Sequence, residues 1–493
     1  MKKLFTLLLA AGLMLGGASS AKAVDIKISG EWDFTAQWTN LSMSKQSESK
    51  DQHSAFYQRL LTQIDIIASE AVSGVVLFEI GDTLWGRSAS ATGDEAGGGL
   101  GADGINIKVK SAFLDWIVPH TELQIRMGLQ EVVLPGLEDA SQIFADDVAG
   151  IVMNYAFNDN VSATAWWVRP FSDNNANYDV SGGNISNRSF NEMDMFGLSV
   201  PLTFDGVDVT PWGMYAAIGR DIFADGYEGA TSDTHYRQML PRWIDTSDPD
   251  FRASDGQGSG YWLGLTGMVS LWDPFRFGWD LNYGSVDLGH TVFNGGQIDL
   301  ERSGWYLALL AEYEFENVTP GLVFWYGSGD DSDAADGSEA MPSIHAASAF
   351  TSFGQDGPGM NFAGTAFQSG LAGTWGLVFR LNNISFIEDL THTFQVAYYR
   401  GTNDDDMAFG KGGPVASPWA NADFGGDTYT YMTTKDSAWE VNFSSEYQIY
   451  ENLKCGLELG YIRLDLSDSA WSRDIADSTD SAWKVGMGLQ YSF

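Results

Sequence analysis

The chain has 493 residues, with 27 basic and 65 acidic side chains, so its formal net charge is −38 at pH 7. Such an acidic chain is a poor ligand for nucleic acid, because binding to phosphates requires basic surface. Hydrophobic residues make up 44% of the chain, including 18 Trp, 19 Tyr and 29 Phe, and this excludes an intrinsically disordered protein despite the charge.

Residues 1–23 have the three parts of a secretory signal. Lys2 and Lys3 supply the charged start, an apolar stretch follows, and Ala21-Lys22-Ala23 forms an A-x-A cleavage site. The apolar stretch is shorter than the roughly 20 residues that a membrane-spanning helix requires. We therefore predict cleavage after Ala23. Loss of three lysines would leave 24 basic and 65 acidic residues and a formal charge of −41.

The first segment after this site alternates strictly between apolar and polar residues. Ile26, Ile28 and Trp32 share one parity, whereas Lys27 and Asp33 share the other. Because alternate residues of a strand point to opposite faces, the segment predicts a strand with one apolar face. The alternation is longer than the usual globular strand of about 5–6 residues and suits a tilted transmembrane strand of about 9–11. The pattern returns at 123–129, 275–283, 305–315 and 375–381.

Short and long connections alternate along the chain. Turn-forming residues occupy the short connections, and Gly, Ser and Asp are frequent in the long ones. Transmembrane β-barrels have this arrangement, with short periplasmic turns and long outer loops. The short connections are 119–121, 158–160, 205–206, 273–274, 316–317, 388–389 and 451–452, and the long ones are 39–53, 87–104, 131–148, 170–190, 220–258, 289–302, 328–371, 402–434 and 466–481.

These connections predict about eighteen strands with both termini at the turn end. Sixteen strands would follow if the stretches 191–202 and 209–219 did not pair. The last stretch alternates again, with Trp483, Val485 and Met487 on one parity, and it ends on Phe493. A closed barrel is the only sheet that can span lipid, because it pairs every backbone polar group. We predict an all-β fold, a transmembrane antiparallel β-barrel of a Gram-negative outer membrane, as a single domain over 24–493.

Three segments carry a resemblance to known proteins. They are the first strand from Val24 to Trp38, the sequence Arg126-Met127-Gly128-Leu129-Gln130 before a loop, and the closing strand with Phe493. In these the chain resembles Gram-negative general porins and is most similar to the homotrimeric outer-membrane porins of sulfate-reducing bacteria. The resemblance implies a homotrimer in outer-membrane lipid and lipopolysaccharide that passes small hydrophilic solutes by passive diffusion.

The third long loop, Glu131–Val148, matches the porin loop that folds into the lumen. It carries four acids, and inward parity places bases on the facing strands. Acids opposite bases would create a transverse field that orients dipolar solutes, and the acidic excess would give a modest cation preference. The alternative is that these are solvated loop and wall charges. The predicted constriction comprises Glu138, Asp139, Asp146 and Asp147 in the loop, with Lys108, Lys110, Arg126 and, less directly, Arg59 on the strands.

Other functions have weaker support in the sequence. The six histidines lack H-E-x-x-H spacing, and neither G-x-S-x-G nor a P-loop is present, so we predict no enzyme, no metal site and no cofactor. The acidic stretch from Asp330 to Glu339 lacks EF-hand spacing and is interpreted as a solvated outer loop rather than a divalent-ion site.

Three alternatives to a general porin remain. A substrate-specific channel for sugars or organic acids would be favoured, in the case of sugars, by a continuous track of lumen-facing Trp and Tyr. An outer-membrane hydrolase would require a Ser–His pair near the outer rim. A structural barrel would have a plugged lumen and no conductance.

Overall fold

The computed structural model describes residues 24–39, 53–88, 97–102, 107–139, 141–172, 192–223, 236–244, 253, 256–293, 296–346, 350–353, 371–418, 430–477, 479 and 481–493. The predicted signal segment 1–23 lies outside these residues.

The described strands follow one another around a single sheet, each paired antiparallel with its neighbours. β1 also pairs with β19, so the sheet closes into a barrel. The strands are β1 (Asp25–Thr39), β2 (His53–Ser69), β3 (Val72–Leu84), β4 (Ile107–Ile117), β5 (Leu123–Val133), β6 (Ala145–Asn158), β7 (Val161–Ser172), β8 (Glu192–Ser199), β9 (Leu202–Phe204), β10 (Val207–Gly219), β11 (Gln257–Trp272), β12 (Phe275–Phe293), β13 (Gly296–Tyr313), β14 (Thr319–Gly327), β15 (Thr374–Ile387), β16 (Leu390–Gly401), β17 (Ser437–Tyr450), β18 (Leu453–Asp465) and β19 (Ser481–Ser492).

The described helical segments are all short. One α-helical turn spans Arg473–Ala476, and 3-10 turns span Leu137–Asp139, Arg220–Phe223, Tyr236–Met239, Asp405–Met407 and Phe409–Lys411. None of the described helices has the length and apolar character needed to cross a membrane.

The barrel has eighteen wall strands, because β8 and β9 are two pieces of one strand. Both pieces pair with β10 and with β7, and the interruption falls at Val200-Pro201. Proline lacks the N–H that a ladder requires, which accounts for the break. The prediction of eighteen strands is therefore confirmed, and the alternative of sixteen strands is not.

The prediction of a long loop at 289–302 is wrong. Instead, β12 and β13 continue as a paired hairpin as far as Phe293 and Gly296. Gly289, which suggested a loop, has a φ of 80° and lies in a bulge between Asp287 and His290. A bulge accommodates such a residue without ending the pairing, so the strands extend on both sides of it.

The chain terminus takes part in closing the barrel. The N–H groups of Gly30 and Phe493 each donate to the other residue's carbonyl, at 3.0 Å in both directions. A Cβ at Gly30 would overlap both the Leu61 carbonyl oxygen and the Phe493 ring. Glycine is therefore required in β1 for the terminal residue to pack against it.

The two faces of the wall differ as the alternation predicts. On β19 the Met487 side chain is 50% exposed on the outside, whereas Lys484, of the other parity, is buried inside. Aromatic residues that the sequence places near strand ends, among them Trp305, Tyr461 and Tyr491, are also exposed outside. Aromatic rings at such positions are typical of membrane–water interfaces.

The hydrophobic core lies inside the barrel. Inward-facing apolar residues of β7 to β18 pack against residues of the loops that enter the lumen. Among these loop residues are Leu134, Leu137, Ile143, Phe144, Ile222, Met239, Trp243, Met341, Phe350, Phe353, Met407, Met432 and Trp471. The loops therefore bring apolar side chains into this part of the lumen.

Candidate functional site

The connection between β5 and β6 is shorter than the predicted loop 131–148. The two strands pair as far as Val133 and Ala145, so the loop proper is Leu134–Phe144. Glu131 therefore belongs to β5, and Asp146 and Asp147 belong to β6. Val132 and Val133 on β5 and Val148 on β6 favour continued strands. The acidic residues of this stretch suggested a loop.

This loop crosses the interior of the barrel. The backbone N–H of Leu137 donates to the Asp280 carboxylate on β12. A Cβ at Gly278, also on β12, would lie 2.6 Å from the Leu137 side chain, so the loop rests directly on that strand. Since β12 does not neighbour β5 or β6 in the wall, the loop reaches it only through the lumen.

An ion-paired cluster fixes the loop to the far wall. The Arg380 guanidinium on β15 donates to both carboxylate oxygens of Glu138, at 2.8 and 2.5 Å, and to Glu312 on β13 at 2.8 Å. The Arg380 side chain is only 5% exposed, so it has little access to water and depends on these partners. We call Glu138, Arg380 and Glu312 the latch.

The four predicted bases do not form this cluster. Each pairs with a carboxylate of the wall, and for Lys110 this is the predicted Asp147, whereas Glu138 binds Arg380. The pairs are Arg59–Asp33 at 3.2 Å, Lys108–Glu79 at 3.4 Å, Lys110–Asp147 at 3.1 Å and Arg126–Asp115 at 2.8 Å.

Lys110 and Asp147 are a predicted base and acid that the structure brings together, but they meet outside the lumen. On β6, Met153 and Tyr155 are exposed outward and share their parity with Asp147. A register shift between β3 and β4 interrupts the alternation at Lys110, which explains why inward parity failed there. The pair therefore belongs to the rim of the wall.

The other two predicted acids differ in what the structure shows. Asp146 lies on the inner parity of β6, with a carboxylate oxygen 3.1 Å from Nδ1 of His345 in the loop after β14. Asp139 ends the 3-10 turn Leu137–Asp139, and its side chain lies outside the description.

Arg380 was missed, although the sequence carried a signal for it. The residue lies between Phe379 and Leu381, in a stretch whose alternation was recognised. Those two neighbours occupy the outward parity, so Arg380 had to face the lumen. The sequence could not show which acid it meets, because Glu138 lies 242 positions away.

A row of aromatic residues follows the inner face of the wall. Each tryptophan ring lies over a glycine of the neighbouring strand, where a Cβ would overlap the ring. The six residues are buried in the interior of the barrel, and the rings of Trp325 and Tyr399 contact each other with centroids 5.3 Å apart. Its members are Trp166, Trp212, Trp262, Tyr306, Trp325 and Tyr399, and the glycines under the four tryptophans are Gly197, Gly264, Gly284 and Gly376.

The acidic outer loop after β14 is partly structural. Asp330 is buried and accepts hydrogen bonds from Ser338 and from Tyr431, so its interpretation as a solvated charge is wrong. Asp331, Asp336 and Glu339 have carboxylate oxygens within 4.8 Å of one another. Partial burial and the neighbouring carboxylates of Asp331 and Asp333 raise the pKa of Asp336.

A Ser–His pair occurs, but not where a hydrolase would require it. His392 Nδ1 lies 2.5 Å from Ser445 Oγ, across β16 and β17. The pair is close to the short turn between Ile387 and Leu390, at the end opposite the long loops. Ser445 shares its parity with the exposed Trp439, so the pair faces outward rather than into a substrate-binding cleft.

Comparison with known proteins gives matches among solved structures. No protein-family model matches the sequence, and neither does any curated protein sequence. The structure is similar to OpdQ of Pseudomonas aeruginosa, with a TM-score of 0.50 and 12% identity over 95% of this chain and 98% of that chain. It is also similar to OccK2 (OpdF) of the same organism, with a TM-score of 0.50 and 10% identity over 95% and 98%.

These likenesses concern the fold. They extend over nearly the whole chain, and the apolar outer surface independently requires a lipid environment. The fold is that of an outer-membrane β-barrel.

Proposed function

We propose that this barrel is a substrate-selective outer-membrane channel for small hydrophilic solutes, narrowed by the loop Leu134–Phe144. The observation that carries the proposal is the latch, which fixes that loop across the lumen. The loop is joined to β5 and β6 on one side of the lumen and bound to β15 on the other, so it permanently reduces the open cross-section of the lumen. A narrower lumen makes a wide barrel selective.

The remaining passage is polar. Inward-facing residues of β1 to β5 form neighbouring acid–base pairs, in contrast to the apolar packing on the other side. A wall of paired charges holds ordered water and disfavours apolar solutes. Its described charged and polar residues include Asp33, Gln37, Arg59, Glu79, Lys108, Asp115, Gln124 and Arg126.

Selectivity is favoured over general diffusion by the content of the lumen. An eighteen-stranded barrel is wide enough for a broad aqueous channel. Here loops from several connections pack inside it, and the Leu134–Phe144 loop spans the space between them. We therefore prefer the substrate-specific alternative to the general porin that the sequence suggested.

Three further elements belong to the proposal. The homotrimer and the contact with lipopolysaccharide follow from the resemblance to porins. A modest cation preference follows from the acidic excess of the chain. Each of them has its own test, namely mass measurement in detergent, lipid retention on purification and reversal potential.

Solute uptake by vesicles tests the proposal. Purified barrel is reconstituted into liposomes, and swelling is recorded for neutral and charged solutes of matched size. A selective channel gives rates that differ strongly between solutes of the same size. Rates that follow size alone would restore the general porin, and a barrel with neither swelling nor ion conductance would be structural.

A further inference from the structure

Four inward-facing residues form one row across adjacent strands. Trp212 on β10 lies opposite Gly264 on β11, Gly264 opposite Asn282 on β12, and Asn282 opposite Tyr306 on β13. A Cβ at Gly264 would overlap both Trp212 Nε1 and Asn282 Oδ1. The absent side chain therefore allows the indole nitrogen and the amide oxygen to converge above this glycine.

Three polar atoms of this row have no hydrogen-bond partner within the part of the chain that the structure describes. They are Trp212 Nε1, Asn282 Oδ1 and the Tyr306 hydroxyl. Their residues are 5%, 2% and 0% exposed, respectively. An unpartnered polar atom at such burial is destabilising, so three in one row indicate a site for a hydrogen-bonding group.

The orientation of the Asn282 amide is fixed by its neighbour. Asp280 on the same strand accepts a hydrogen bond from the Asn282 side chain, which must be the Nδ2 donor. Asp280 also accepts from Thr266 Oγ1 at 2.9 Å and from the Leu137 backbone. The Oδ1 atom of Asn282 is thus left as an acceptor pointing toward Trp212.

We propose that Trp212, Asn282 and Tyr306 form a subsite for a hydroxyl group of a neutral polyhydroxylated solute of the sugar class. The indole N–H donates to the hydroxyl oxygen, the hydroxyl hydrogen is donated to Asn282 Oδ1, and the phenol can donate or accept. The Trp212 ring adds an apolar surface of the kind that sugar C–H groups contact. This subsite rests on the proposed channel function and names its substrate class.

Charge argues against an organic acid in the same place. The Tyr306 hydroxyl lies in the electrostatic field of two carboxylates, Asp280 and Glu138. None of the three subsite residues is basic, so a bound carboxylate would face like charge without a counter-ion. A neutral hydroxyl group carries no such penalty.

Access to the subsite passes through the latch. Leu137 binds Asp280 beside the row, and the next residue, Glu138, binds Arg380. Withdrawal of this turn would open the row toward the polar passage. The subsite is therefore adjacent to the turn that crosses the lumen, where a bound solute would interrupt the ion current.

Current recordings with full-length protein in planar bilayers test the subsite. Sucrose is the probe, and a polyethylene glycol of matched hydrodynamic size is the control solute. We expect sucrose to interrupt the current of the wild type more strongly than the polymer. Trp212→Phe and Tyr306→Phe should each weaken the sucrose effect about 2- to 12-fold, the value of one neutral hydrogen bond.

Trp325→Phe is the matched control. This tryptophan also faces inward over a glycine, but its Nε1 donates to Thr374 Oγ1 at 3.1 Å, away from the row. Its variant should keep the wild-type sucrose effect. Equal weakening in all three folded variants, or no sucrose effect in a wild type that conducts normally, would show that the row holds only water and overturn the subsite. A wild type without ion conductance would overturn the channel function as well.

Discussion

Glu138 and Gly30 occupy backbone positions that restrict which residue can be used. Glu138 has left-handed angles, with φ 60° and ψ 39°, which are uncommon for a residue with a side chain. Two charge-assisted hydrogen bonds to Arg380 offset that cost. Gly30, by contrast, is required by its neighbours, because any Cβ would overlap the Phe493 ring and the Leu61 carbonyl.

Gly30→Ala tests the role of the terminal residue. The added methyl must displace Phe493 or the β2 backbone, so we expect a lower fraction of folded barrel, measured by heat-modifiable migration in gel electrophoresis. Gly74→Ala is the control, since its Cβ would lie 3.6 Å from the Phe113 carbonyl oxygen, at ordinary contact distance. Similar losses in both variants would mean that glycine conformational freedom, and not the Phe493 contact, matters.

At the level of strands, alternation predicted most of the wall. It assigned the faces of β1 and β19, because a two-residue period is visible in one segment alone. It failed at Lys110, where a bulge interrupts the two-residue period. It also failed at Gly289, which was assigned to a loop but lies in a bulge within β12. Bulges depend on the partner strand, which a local pattern does not identify.

Paired arginine substitutions on β19 test the face assignment. Met487 is exposed outside, whereas Gly488 lies opposite Thr35 on the inner face. Met487→Arg should destabilise the barrel by about 2–4 kcal/mol, the cost of a charge near the bilayer midplane. Gly488→Arg should cost less and mainly reduce conductance. Denaturant titration in lipid vesicles measures the free energy of unfolding of each variant. An equal decrease in both variants would contradict the assignment of the two faces.

For the molecule as a whole, the inward fold of the third loop was expected from the resemblance to porins, but its partner was not. Arg380 and Glu138 are joined only when the barrel closes, so no local pattern pairs them. The same holds for the loop core inside the lumen, because its residues come from distant connections. Long-range packing of this kind depends on the closed sheet, and a local sequence pattern does not identify it.

Ion selectivity tests the predicted acidic constriction. Converting Glu138, Asp139, Asp146 and Asp147 to their amides should lower the cation preference, measured as a reversal potential in a salt gradient. Most of the change should come from the first three, because Asp147 pairs with Lys110 at the rim. Amidation of Asp331, Asp333 and Asp336 in the outer loop is the control. It should change the reversal potential less, because dissolved salt screens these charges from the passage. An equal shift in the control would place the selective charges elsewhere.

The central claim is that a latched loop narrows this channel, and single-channel conductance of Glu138→Gln tests it most directly. The amide loses the ionic bonds to Arg380, each worth about 1–3 kcal/mol, so the loop should move and the conductance should rise. Glu131→Gln is the matched control, because Glu131 lies exposed on β5. A folded Glu138→Gln barrel with the conductance and current noise of the wild type would contradict the account.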